Sequence, residues 1–139
     1  MVTFKEYIKN TLLSEIPINH QHNIEELLKV INIIREKYGK PMIVSSGYRS
    51  RQKQLDLYRA KGYTDDQIPM GSGHLNGLAI DLSDPNGEID EWCNNNQDLL
   101  EELGLWQENP NATKGWCHLD LLPRAIKSRP NCLKRQFNP

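Results

Sequence analysis

No apolar run in this 139-residue chain is longer than a few positions, far short of the roughly 20 residues that a membrane-crossing helix needs. No span and no membrane insertion are expected. Cysteine is scarce: Cys93, Cys117 and Cys132 are an odd, widely spaced set without a Cys-x-x-Cys pair, which argues against a disulfide framework and a zinc ribbon and leaves free thiols as the expectation. Net charge is almost absent, since 17 Lys and Arg face 18 Asp and Glu, so a nucleic-acid binder relying on bulk positive charge is excluded. The first residues, Met1 to Glu6, lack a basic segment leading into an apolar stretch. No secretory signal is read there, and a soluble product made in the cytoplasm is expected. Hydrophobic residues reach only 37%, with a mean hydropathy of -0.67, yet they fall in clusters and the charged fraction of 25% is ordinary for a folded domain. At 16.1 kDa, with no internal repeat, the chain is expected to form a single domain over residues 1–139 and a monomer.

What is present reads as an alternation of helices and short strands. Phe4, Ile8, Leu12 and Leu13 stand at helical spacing behind Thr3, with Glu6 placed for a capping box, which predicts a helix over about 3–14. Ile24, Leu27, Leu28, Ile31 and Ile34 form an apolar stripe that starts at Asn23 and ends at Tyr38, before Gly39 and Pro41. Met42 to Ser46 reads as a strand entering a turn at Gly47, followed by a helix over about 50–61 with Leu55 and Tyr58 inward. A loop over Tyr63 to Gly73 leads to a buried strand at Leu78–Leu82, and Glu88–Leu103 is helical in composition. Leu105–Gln107 and Trp116–Leu121 read as two strands joined by Asn109-Pro110-Asn111. Helices before and between antiparallel strands predict an α+β fold.

Charge is uneven along this order. Residues 40–61 hold six bases and one acid, 84–120 hold nine acids and only Lys114, and 123–139 hold five bases and no acid. Solvated faces and a basic C-terminal tail are the plain reading; a basic patch meeting an anionic polymer is the alternative.

The stretch Ser72-Gly73-His74-Leu75-Asn76-Gly77-Leu78-Ala79-Ile80-Asp81 places an imidazole and a carboxylate seven residues apart across a turn into a strand. Taken singly, His74 reads as a hydrogen-bonded loop histidine and Asp81 as a strand-end cap. In combination they form two thirds of a zinc donor set, and a metal would remove the cost of a buried, unpaired carboxylate. His118, in Trp116-Cys117-His118-Leu119, is the best third donor. His20 and His22 flank the start of a polar helix and read as surface residues or caps.

The pattern Ser-x-His-x-x-Gly-x-Ala-x-Asp at Ser72–Asp81, with Ser46-Gly47-Tyr48-Arg49-Ser50 upstream and Trp116-x-His118 downstream, resembles the zinc D-Ala-D-Ala carboxypeptidase and peptidoglycan endopeptidase family. The resemblance covers about residues 24–122, and the closing segment is similar to the small phage-type branch. It implies a hedgehog-like α+β domain with a small central antiparallel sheet and flanking helices. It also implies one Zn²⁺ per chain on His74, Asp81 and His118, acting as a Lewis acid on the scissile carbonyl and lowering the pKa of a water. Arg49 is then the residue that binds substrate or steadies the oxyanion, a task suited to its fixed charge and forked donors. Ser72, Tyr48 and Trp116 fall on the substrate side. Arg49 pairing Asp56, and Ser72 as an ordinary turn residue, are the structural alternatives.

The sequence departs from the family pattern at one point. Many members carry a catalytic Glu three residues before the last zinc histidine, and Gly115 stands there. Glu108, facing His118 across a hairpin, is the first choice as general base, and Asp120, on the same strand face as His118, is the second. The expected activity is cleavage of peptidoglycan peptide stems by a phage-type wall-lytic protein, either as an endopeptidase or as a D,D-carboxypeptidase. A zinc-bearing wall-binding or virion module without a base, and a cytoplasmic D-Ala-D-Ala dipeptidase, are the alternatives. Cys117 points opposite to His118 and reads as core.

Overall fold

The computed structural model describes residues 1–124 and 130–139; residues 125–129, part of the segment read as a basic tail, lie outside the described residues. The elements run α1 (Phe4–Ile8), α2 (Ile18–Tyr38), β1 (Val44–Ser46), α3 (Arg51–Ala60), β2 (Ala79–Asp84), α4 (Glu88–Asn94), α5 (Gln97–Leu103), β3 (Trp106–Glu108), β4 (Gly115–Asp120) and β5 (Gln136–Phe137). Among these described residues no helix is long and apolar enough to cross a membrane.

The apolar stripe of α2 is buried as its spacing requires: Ile24, Leu27, Ile31 and Ile34 are fully inaccessible. Each such aliphatic side chain contributes about 1.5–3 kcal/mol relative to exposure. The helix starts at Ile18 behind Pro17, five residues before Asn23. Asn23 does not cap it; its amide donates instead to the Asn76 carbonyl at 2.9 Å, tying α2 to the loop that carries His74. Thr3 does cap α1 by accepting from the Glu6 amide at 3.2 Å, but the helix stops at Ile8, where Lys9 takes a positive φ of 51°, and Leu12 and Leu13 are exposed. Glu88–Leu103 is two helices rather than one. The break falls at Asn95-Asn96, where the Asn96 side chain donates to the Trp92 carbonyl at 2.7 Å, a local bond that competes with the helix ladder.

The sheet order is β1-β2-β4-β3-β5. β1 to β4 pair antiparallel as expected, but β5 joins β3 in parallel, so the sheet is mixed. Alternation gives it two unlike faces. Ile80 and Leu82 of β2 and Cys117 and Leu119 of β4 point into the core, all fully buried. Asp81 and His118, directly opposite one another, share the other face.

Tyr7 fastens α1 to this sheet. Its hydroxyl donates to the Ala79 carbonyl at 2.6 Å, and its own carbonyl accepts from the Tyr48 amide at 3.1 Å. Gly47 is glycine because of that approach: a Cβ there would sit 2.0 Å from the Tyr7 oxygen. On α3, Gln54 takes the buried position, while Leu55 and Tyr58, expected inward, are only half-buried. The Gln54 amide bridges the loops, donating to the Pro69 carbonyl at 2.7 Å and accepting from Arg49.

Candidate metal centre

Three ligand atoms, one each from His74, Asp81 and His118, lie within 4.8 Å of one another. His74 arrives on a 3-10 turn, Gly73–Leu75, whose amide at His74 is capped by the Ser72 hydroxyl at 3.3 Å. Its Nδ1 lies 2.8 Å from the Gly47 carbonyl. A carbonyl only accepts, so Nδ1 carries a proton, and Nε2 is the nitrogen turned to Asp81, 3.3 Å from Oδ2. Asp81 is presented by β2 and His118 by the facing position of β4, with His118 Nδ1 2.7 Å from Asp81 Oδ1.

The other nitrogen of His118, Nε2, meets Asp120 Oδ2 at 2.8 Å. Asp120 is fully buried and also accepts from the Leu122 amide at 3.2 Å and from Arg124 Nη2 at 2.6 Å. Burial alone would lower the His118 pKa, but the hydrogen-bonded Asp120 and Asp81 carboxylates push it up to about 9. Burial likewise works to raise Asp81, and the bonds from His118 and His74 overcome it, holding the carboxyl well below the usual range. The His118 ring thus lies between two carboxylates, Nδ1 towards Asp81 and Nε2 towards Asp120. Two imidazoles and a carboxylate converging in this way match the donor set of zinc, and the Asp120–His118 contact is of the kind that would fix a ligating imidazole from outside.

Glu108 belongs to the same face. Trp106 pairs with Asp120 and Gln107 with Leu119, so alternation along β3 and β4 puts Glu108 on the face of His118. Burial raises the Glu108 pKa above the ordinary glutamate value, against the lowering effect of the His118 charge. In the next strand Glu108 pairs with Phe137, and on the far side Asp81 pairs with Ser46. Each of the five strands therefore contributes one residue to a single row, Ser46–Asp81–His118–Glu108–Phe137.

Gly115 stands outside that row. Three residues before His118 in an unbroken strand, it faces the opposite side of the sheet, and its φ is 99°. Trp116 is two residues from His118 on the row's own face and half-buried.

Arg49 lies just past β1, its guanidinium donating to Gln54 at 2.7 Å and to Ser46 at 3.2 Å, and its amide to the His74 carbonyl at 2.9 Å. Asp56 bonds Gln52 instead, and among the described residues no carboxylate pairs with Arg49. Tyr48 is buried, and its hydroxyl meets His20 Nδ1 at 3.0 Å. His20, expected as a surface residue or cap, thus lines a groove of about 500 Å³ with Tyr48, Arg51, Met70, Ser72 and Asn76. His22 remains exposed beside Glu25. The contacts of His20 with Tyr48 and of Gln54 with Pro69 join residues distant in sequence, and no local motif announces them.

No curated protein and no solved structure matches the chain. The model of the Peptidase M15 family matches over residues 2–120, a span that contains His74, Asp81, Glu108 and His118 together with Gly47 and Arg49. With most of its length matched and a zinc-type donor set at the centre of the sheet, the chain belongs to the peptidase M15 family and is a metallopeptidase.

Proposed function

We propose that the protein cleaves the peptide stems of bacterial peptidoglycan as a zinc-dependent peptidase of the small, phage-type lytic kind. His74, Asp81 and His118 hold one Zn²⁺, which supplies Lewis acidity to the scissile carbonyl when bound. Glu108 is the general base. It accepts a proton from the water that attacks the carbonyl carbon and delivers that proton to the leaving amine as the peptide bond breaks. Asp120 holds His118 rather than acting on the water, because its carboxylate is buried and engaged by three donors. Arg49 carries a charge that no carboxylate among the described residues offsets, which suits it to the developing oxyanion or to a substrate carboxylate. Ser72, Tyr48 and Trp116 border the substrate, the first two along the groove.

The observation that carries this reading is the row across the sheet, which sets a half-buried carboxylate, Glu108, on the same face as a two-imidazole, one-carboxylate donor set. Mass analysis of purified muropeptides incubated with the zinc-loaded protein tests it. New amine and carboxyl termini in the stem are expected, and their position names the bond. Glu108→Gln should keep its zinc and lose activity by about 10²- to 10⁴-fold. Undiminished turnover in that variant removes Glu108 from the mechanism, and a zinc-loaded wild type that cuts no muropeptide overturns the wall-peptidase reading.

A further inference from the structure

The residues that fix His118 are not all inside the family-matched span. That span ends at residue 120, yet two side chains beyond it reach the metal centre. Arg124 donates through Nη2 to Asp120 Oδ2 at 2.6 Å, the same oxygen that meets His118 Nε2. Phe137 presents its ring to His118 edge to face, with centroids 5.8 Å apart and planes at 79°. The two are joined to each other, since the Arg124 guanidinium lies 3.4 Å from the centre of the Phe137 ring. His118 is thus held in its own plane by Asp120 and against rotation by Phe137, and Arg124 braces both supports.

Phe137 is itself firmly placed. The Gln107 amide donates to the Arg135 carbonyl at 2.8 Å, and the Asn109 amide donates to the Phe137 carbonyl at 2.8 Å. Arg135 stacks on Trp106 at 3.7 Å, and its amide donates to the Gln97 side chain at 2.6 Å. Gln136 donates to Asn94 at 2.6 Å. The last strand is therefore clamped to β3 and to both α4 and α5, which is more anchoring than two residues of sheet need.

We propose that Arg124 and Phe137 are positioning residues of the metal centre, so that the segment beyond the family-matched span sets the metal affinity and ligand geometry at His118. The proposal rests on the reading of His118 as a zinc ligand. Loss of an outer support of this kind weakens metal binding by about 10- to 100-fold.

The test uses the full chain, titrated with zinc against a chromophoric chelator and with cobalt(II) as a spectroscopic probe. Arg124→Gln and Phe137→Ala should each weaken zinc binding by about 10-fold or more and change the cobalt absorption, and Arg124→Lys should recover part of the affinity because it restores the charge on Asp120. Melting of the chelated proteins is measured alongside. Variants that melt lower but bind zinc as the wild type does, with an unchanged cobalt spectrum, make the segment structural only and overturn the proposal. If Phe137→Ala does not fold, Arg124→Gln alone decides in the same terms, its side chain being partly exposed and outside the core. A wild type that takes up neither metal overturns the ligand assignment and this proposal together, whereas metal uptake that is equal in wild type and variants overturns only the latter.

Discussion

Position 115 shows how one residue can mislead when read by spacing alone. A glycine three places before the last histidine looks like a lost base, but in this strand that place faces the core side of the sheet, with a φ of 99° that side chains of L-residues rarely adopt. Gly115→Glu should therefore add no activity and should not rescue Glu108→Gln. It should cost about 1–3 kcal/mol of stability, the usual range for a non-glycine residue held in a sparsely populated conformation. Denaturant unfolding checks the second point and muropeptide turnover the first; a gain in turnover would mean that β4 rearranges to bring position 115 to the metal. The cluster of His74, Asp81 and His118 was legible because the Ser72–Asp81 pattern and Trp116-x-His118 are local. Nothing local marks the Gly47 carbonyl that orients His74, 27 residues away in sequence.

At the scale of elements, legibility followed the strength of the periodic signal. The stripe of α2 is long and apolar, and its helix formed; β2 and β4 alternate cleanly, and their faces are as read. The short elements differ. α1 ends before Leu12, and β5 is two residues of a segment whose charge suggested a solvated tail, brought into the sheet by side-chain anchors on α4 and α5 that no pattern encodes. α1 nevertheless supports the site through one side chain. Burial first, then the Asp81 charge, raise the Tyr7 phenol above its ordinary pKa, so it remains a donor to the Ala79 carbonyl at any working pH. Tyr7→Phe removes that donor from a fully buried position and should lower stability by about 1–3 kcal/mol, measured by denaturant unfolding. A change of a few tenths would show that the carbonyl finds another partner.

For the molecule as a whole, the core side of the sheet has its own polar centre. Asp90 on α4 is buried, accepting from Gln107 at 2.8 Å and from Thr113 at 3.4 Å, and burial raises its pKa despite the Gln107 bond. The folded state then holds the Asp90 proton more tightly than the unfolded chain does. Its contribution is fully present at low pH and is lost as pH rises through the raised value. The melting temperature of Asp90→Asn relative to wild type should accordingly improve as pH rises above the ordinary aspartate value of about 4. A difference that is flat, or that moves the other way, contradicts the assignment. On the opposite face, the row from Ser46 to Phe137 places one member on each of five strands, and side chains alternate along every one of them. A slip of β4 by a single residue would bring Cys117 or Leu119 to the place of His118 and turn His118 into the core. Capture of a metal ion by His74, Asp81 and His118 would therefore report the β2–β4 register, because only a chain with that pairing in step sets Asp81 and His118 side by side.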